Sequence, residues 1–244
     1  MGIRKEAVDD VSGDYQYGAL HHGTKSQRLW HRQKIEIIGR YLHNKSYGNN
    51  CDAGCGSGVV ADFVSSVLPE SKVVGYDINE RSIAFALRKF KKKNLQFCLK
   101  NLLEKERNEE NCFDFVYSLE VIEHFCFEDV KKYLAVLFHI GKANARFFIT
   151  TPDYRSMWPL IEWSMDSLKL TPRMAGHQHL TKFTIATLKD TLERNGFEVL
   201  EIGNFCGMSP FFGHLSRRLS TYIDKIENWV GYGNLMFCEF RKRR

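Results

Sequence analysis

The segment Asp52-Ala-Gly54-Cys-Gly56-Ser-Gly58 constrains this chain more than any other. It stands between a short β-like run ending at Asn50-Cys51-Asp52 and a helical period opening at Val59. Glycine lets the backbone turn tightly and approach a ligand with no Cβ in the way. The free N–H groups at the start of the next helix favour a carboxylate or phosphate. Lys72 to Asp77 reads as the following strand, and Asp77 ends it, where a carboxylate can accept two hydrogen bonds from a ribose diol. The spacing is G-x-G-x-G rather than G-x-G-x-x-G, and Asp52 sets a negative group beside the loop. That suits a zwitterionic or cationic ligand better than a pyrophosphate, and speaks against a nicotinamide-dependent dehydrogenase.

The rest of the chain keeps a β–α rhythm. A helix is predicted from Ser26 to Leu42, with Trp30, Ile35, Ile38 and Leu42 near one face. The helix from Val59 should turn Val60, Phe63, Val64, Val67 and Leu68 inward. Asn79 can cap a helix whose Ile83, Ala86, Leu87 and Phe90 repeat at helical spacing. Strands are expected at Leu95–Leu99, Phe113–Ser118 and Arg146–Thr150, with a helix from Glu128 that stops at Gly141. A helix from Thr184 to Gly196, a strand Phe197–Ile202, a helical stretch over 209–230 and a strand Leu235–Phe240 complete the order. Such alternation argues for an α/β fold around a mostly parallel sheet.

Composition sets outer bounds. The 244 residues are 43% hydrophobic and 26% charged, ordinary for a soluble globular chain. No apolar run approaches the roughly 20 residues of a membrane span. Gly2 followed by Glu6 departs from the myristoylation pattern. Seven cysteines without a C-x-x-C pair predict neither a disulfide framework nor a zinc ribbon, so a cytoplasmic location is expected. The net charge of +6 permits an anionic partner without demanding one. Lys91-Lys92-Lys93 and Arg241-Lys242-Arg243-Arg244 read as a helix C-terminus and a solvated tail, or as an electrostatic docking surface.

From about Ile37 to Phe240 the sequence resembles the class I S-adenosylmethionine-dependent methyltransferases. Cys51-Asp52-Ala53-Gly54-Cys55-Gly56-Ser57-Gly58 resembles their first motif and Gly75-Tyr76-Asp77-Ile78 their second. Phe113-Asp114-Phe115-Val116 with Glu120-Val-Ile-Glu123-His124 resembles the fourth, and Phe148-Ile149-Thr150-Thr151-Pro152 the end of the fifth strand. The resemblance implies a Rossmann-like, mostly parallel seven-stranded sheet with helices on both faces and a helical substrate cap. It implies one methyltransferase domain over 1–244: an N-terminal lid and helix (1–45), a cofactor-binding half (46–152) and cap insertions at 153–183 and 207–232. By the same resemblance S-adenosyl-L-methionine is the cofactor. Asp52, Ala53, Gly54, Cys55, Gly56 and Gly58 would hold its amino-acid end, Asp77 its ribose and Ile78 its adenine. Asn101, Leu102, Ser118 and Glu120 would complete the pocket. Two positions depart from the common pattern: Asn101 stands where many members carry Asp, and Gly141-Lys-Ala-Asn-Ala replaces Pro-Gly-Gly before the fifth strand. Neither removes a group that the chemistry needs.

Methyl transfer is an in-line displacement at a sulfonium carbon, and the cofactor supplies the activation. The protein aligns the nucleophile and, for a hydroxyl, manages its proton. His124, just past the fourth strand, suits a general base, with Glu123 beside it; it can equally orient a loop. Glu120, Glu123, His124 and His179 also offer a ligand set for a divalent metal, magnesium or manganese. That arrangement resembles ubiquinone-biosynthesis O-methyltransferases and small-RNA 3′-terminal 2′-O-methyltransferases; in the latter a histidine four residues before an aromatic-Thr pair is matched by His179 before Phe183-Thr184.

The segment 153–183, rich in Trp and Met, supplies Tyr154, Trp158, His177 and His179 as expected substrate-side residues. The 209–230 stretch carries Leu215, Leu219, Tyr222, Ile223, Ile226 and Trp229 on one stripe, with Arg217 and Arg218 near its start. These two segments either roof a pocket or bury each other. The expected activity is O-methylation of a small-molecule, lipid or quinone-precursor, or glycan acceptor. A peripheral membrane contact is compatible with that. The alternatives are a metal-dependent RNA 2′-O-methyltransferase and a catalytically inactive interaction subunit. Nucleic acid is the less favoured partner, because no RNA-binding module is visible. Oligomeric state is not encoded in any feature of the sequence.

Overall fold

The structure, a computed structural model, describes residues 12–105, 109–168, 174 and 176–243. The N-terminal Gly2 motif, part of the 153–183 insertion and Arg244 lie outside the described residues.

Among the described residues two helices come first, α1 (Tyr15–His21) and α2 (Lys25–Leu42). α2 starts at a capping box in which Thr24 and Gln27 satisfy each other's backbone N–H groups. The alternating core follows: β1 (Asn49–Ala53), α3 (Val59–Val67), β2 (Lys72–Asp77), α4 (Glu80–Lys89), β3 (Leu95–Leu99), β4 (Phe113–Leu119), a 3₁₀ turn (Ile122–His124), α5 (Phe127–Ile140) and β5 (Gly141–Pro152). Then come α6 (Trp158–Ser167), α7 (Ile185–Arg194), β6 (Phe197–Phe205), α8 (Ser209–Phe212), α9 (Arg217–Val230) and β7 (Leu235–Lys242).

The seven strands form one sheet in the order β3-β2-β1-β4-β5-β7-β6. Strands β1 to β5 pair in parallel, whereas β7 runs antiparallel to both β5 and β6. The strand order reverses beside β1, so β1 and β4 point their carboxyl ends at the crevice where open α/β sheets bind ligands. This is the Rossmann-like architecture expected from the rhythm of the sequence.

Both faces of the sheet are covered, so its central strands are apolar on both sides. On one face Val116, Phe147, Met236 and Phe240 pack against Val130, Tyr133 and Leu134 of α5 and Leu188 and Leu192 of α7. On the other, Phe115, Tyr117 and Phe148 meet Ile38 and Leu42 of α2, Val64 of α3, Ile83 of α4, and Trp158 and Ile161 of α6. Phe113 lies with the first group although it shares parity with Phe115. The β4–β5 register shifts between these two residues, and that irregularity turns Phe113 over.

Several expectations are corrected. Val67 and Leu87 are exposed, because each lies on the solvent side of a helix whose neighbours Val64 and Ala86 already fill the contact with the sheet. The fifth strand starts at Gly141, five residues early, and the sixth runs on to Phe205. Arg241 and Lys242 are not tail residues: β7 continues through them, and Arg241 pairs with Glu198 at 2.8 Å. The 209–230 stretch is two helices rather than one. The chain breaks after Phe212, and Ser216 begins α9 by accepting from the N–H of Leu219. The predicted apolar stripe of α9 neither roofs a pocket nor buries itself; Leu215, Tyr222 and Trp229 face solvent. The inward side is polar instead. Glu227 is buried and accepts from the N–H groups of Met208 and Ser209, while Asp224 accepts from Gln33 of α2 at 2.7 Å.

Candidate active site

The carboxyl ends of β1, β2 and β4 open into a cavity of about 380 Å³. Its floor is the glycine loop. Gly54 sits at φ 92° and Gly56 at φ 50°, the left-handed region that favours glycine. A Cβ at Gly54 would stand 2.4 Å from Val121 Cγ2, and one at Gly56 would meet Gln16 Oε1 at 2.8 Å. Position 54 therefore admits only glycine, whereas at position 56 the obstacle is the movable end of Gln16 and the left-handed φ sets the preference. Asp77 closes this corner: Oδ2 accepts from the N–H of Gly56 at 2.7 Å and Oδ1 from that of Asn79 at 2.8 Å. Each oxygen keeps a second acceptor direction. Burial pushes the Asp77 carboxyl up, against the pull of those N–H groups.

The opposite wall follows β4. Glu120 adopts φ 56°, uncommon for a residue with a Cβ. Thr150 holds it twice: the Thr150 carbonyl accepts the Glu120 N–H at 3.1 Å, and its hydroxyl donates to Glu120 Oε1 at 2.8 Å. Lys34 of α2 lies 3.5 Å from the other carboxylate oxygen. Glu123 is buried, accepts from Thr151 Oγ1 at 2.9 Å, and leaves Oε1 without a partner. Burial and the neighbouring Glu120 hold its carboxyl well above the usual range.

His124 Nδ1 lies 2.9 Å from the carbonyl of Gln178. A carbonyl only accepts, so Nδ1 carries the proton in the neutral ring. Burial and the adjacent His179 lower His124 to about 4, although the Gln178 and Glu120 backbones favour the protonated ring. At neutral pH the imidazole is uncharged. His179 is fixed in the same way from α6: its Nδ1 is 2.7 Å from Glu162 Oε1, which also accepts from Tyr154 at 2.8 Å. The two imidazoles lie 5.3 Å apart, and one ligand atom each from Glu123, His124 and His179 falls within a 4.8 Å group.

Of the residues singled out from the sequence, Gly54, Gly56, Asp77, Ile78, Leu102, Glu120, Glu123, His124, Trp158, His177 and His179 line the cavity. Asp52, Ala53, Cys55, Gly58, Asn101, Ser118 and Tyr154 do not. Asp52 is buried beneath the loop, where the Ala61 N–H meets its carboxylate. Gly58 packs on Phe97 at the start of α3. Asn101 turns its oxygen to the N–H of Leu103 and its amide to Glu104. Ser118 accepts from Tyr133 at 2.6 Å. Sequence reasoning missed Gln16, His31, Lys34, Met165, Met174 and Phe211, which line the cavity, and Glu162, which sets His179. None sits in a motif; each is brought in by an element remote in sequence.

His31 carries a prediction. Burial, with Lys34 nearby, lowers it to about 3 from an ordinary 6.5. Below pH 6.5 the unfolded chain takes a proton that the folded chain refuses until about pH 3. Stability should therefore be full above pH 6.5 and fall as pH drops through this window. In urea unfolding, His31→Gln should flatten that slope by up to about 1.4 kcal/mol per pH unit. An unchanged slope would count against a neutral, half-buried His31.

Comparison with known proteins agrees with this geometry. Residues 25–202 match the family model described as a methyltransferase domain. Over 157 residues the chain is 29% identical to the release factor glutamine methyltransferase of Clostridium botulinum, covering 59% of this chain and 56% of that relative. The chain thus spans just over half the length of that relative. A S-adenosylmethionine-dependent methyltransferase structure from Archaeoglobus fulgidus superposes with TM-score 0.64 over 93% of this chain and 99% of its own, at 19% identity. The N-methyltransferase NodS of Bradyrhizobium japonicum, solved with S-adenosyl-L-homocysteine, gives 0.59 over 88% of each chain at 13% identity. The bare glycine cradle and the half-free Asp77 carboxylate fit such a cofactor. With the family model covering most of its length, the chain belongs to the class I S-adenosylmethionine-dependent methyltransferases.

Proposed function

We propose that the enzyme methylates the oxygen of a small, partly apolar acceptor of phenolic acidity, with His124 receiving the hydroxyl proton. The observation that carries this is a single cavity joining two chemistries. The glycine loop and Asp77 border it on one side, and His124, His179 and Glu123 share it with Trp30, Trp158, Ile161, Met165 and Phe211. In this reading Asp77 takes the ribose hydroxyls, the absence of a Cβ at Gly54 and Gly56 makes room for the amino-acid end, and Ile78 packs on the adenine. The bound cofactor supplies an activated methyl group. The aromatic and methionine wall excludes water and packs an apolar acceptor body.

The acidity follows from His124. A neutral imidazole held to about 4 is a weak base. It is better matched to a phenol near pKa 10 than to an alkyl alcohol. The bound cofactor would supply the methyl group and keep the electron pair of its broken S–C bond as the neutral thioether, while His124 would hold the proton given up by the phenol.

Glu123, His124 and His179 support a second reading. One carboxylate and two imidazoles form a donor set for a divalent cation, and the partnerless Glu123 oxygen is an atom such a cation would satisfy. A cation there would lower the pKa of an acceptor hydroxyl and admit alcohols, including a ribose 2′-hydroxyl.

One panel separates them. Methyl transfer is measured to hydroxylated quinone-like phenols, aliphatic alcohols, amines and short RNA, each with chelator or with manganese. Phenol methylation that persists with chelator supports the proposal. Transfer only with manganese, to alcohols or RNA, favours the second reading. Transfer to amines alone overturns the oxygen assignment.

A further inference from the structure

The outer face of α9 meets nothing among the described residues. Trp229 is 86% exposed, Leu215 77% and Tyr222 64%, and Leu219, Ile226 and Val230 lie exposed with them. On α9 the spacing 219, 222, 226, 229 places one large apolar side chain outward on every turn, and Leu215 stands exposed in the turn just before the helix. The charges of the helix are sorted by sign. Arg218 and Lys225 are exposed two turns apart, form no ion pair among the described residues, and border a shallow depression with Tyr222. Asp224 and Glu227 are turned inward and occupied by Gln33, Met208 and Ser209. No acidic residue occupies an exposed position of α9.

We propose that α9 is an interfacial helix that seats the enzyme on an anionic phospholipid surface. Leu219, Ile226, Trp229 and Val230 enter the boundary of the acyl region, with Leu215 beside them, while Arg218 and Lys225 reach lipid phosphates from either side of Tyr222. The charge pattern selects this occupant. The same stripe could in principle form a seam with a second copy, but Arg218 and Lys225 would flank that seam in both chains with no exposed acid to meet them. A nucleic acid would engage the two cations and gain nothing from exposed Leu219, Ile226 and Val230. Seating α9 also orients the catalytic cavity, because α8, directly before it in the chain, contributes Pro210 and Phe211 to the cavity wall. The inference stands whether the acceptor is a phenol or another group.

The test is co-sedimentation of the full chain with vesicles of phosphatidylcholine alone, or with about a third phosphatidylglycerol. Capture by the mixed vesicles is expected, stronger at low salt and weak on neutral lipid. Exchanging Arg218 and Lys225 for Glu together should reduce capture by roughly tenfold or more. Trp229→Ser should also reduce it, and because its side chain is exposed, S-adenosylhomocysteine affinity and thermal midpoint should not move. Three outcomes overturn the proposal: no capture by the mixed vesicles, capture indifferent to both sets of substitutions, or a soluble dimer or RNA complex that depends on these residues without vesicle capture.

Discussion

Asp77→Ala is expected to weaken S-adenosylhomocysteine binding by about 1.5–3 kcal/mol, roughly 10- to 150-fold. Two losses combine. The ribose hydroxyls lose a charged acceptor, and the N–H groups of Gly56 and Asn79 lose the carboxylate that braces the glycine loop against α4. Asp77→Asn separates these contributions: its oxygen can still accept, but its amide now faces an N–H donor, so an intermediate affinity is expected. Calorimetric titration reads both variants. Wild-type affinity in Asp77→Ala would overturn the placement of the ribose.

His124→Ala should leave that affinity unchanged while lowering methyl transfer by about 10²–10⁴-fold. The wild-type rate should also have an unusual pH dependence. A base must be neutral to accept a proton, and His124 is held to about 4 rather than 6.5. The turnover rate should stay level as pH falls through 6.5 and decline only on approaching 4. A decline centred near 6.5, or a variant that keeps its turnover, would remove His124 from proton transfer. Glu162→Gln is a useful companion, because Glu162 touches neither the glycine loop nor His124 and acts through the two groups it holds, His179 and the Tyr154 hydroxyl.

Local signals in the sequence account for the order of strands and helices up to β5. Apart from β1, which the glycine loop after it betrays, each strand there carries a short apolar run, and each helix has its own cap or period, as at Asn79 and Thr24. The glycine loop and Asp77 were legible for a related reason: both lie at the ends of consecutive strands, and a parallel register between β1 and β2 pairs Asp52 with Gly75 and so brings the two ends together. Asn101 and Ser118 were harder. Their type and position suit a pocket, but their side chains turn to Leu103, Glu104 and Tyr133, choices that depend on which partner lies nearest.

α9 shows the same limit more sharply. Helical spacing identifies an amphipathic helix but carries no sign for which face turns inward. Here Glu227 and Asp224 find N–H and amide donors on the polar side, so the polar face is the buried one. Glu162, Lys34 and His31 come from helices separated from Glu120 and His124 by dozens of residues, and no periodicity couples such positions.

The sequence by itself determined the alternation of elements, the glycine turn and the acidic end of β2, because these rest on backbone geometry and near-neighbour patterns. The tertiary structure alone decided the tautomers of His124 and His179, the carboxyl environment of Glu123 and the outward face of α9. Those depend on burial and on partners across the fold, and both arise only when distant segments pack.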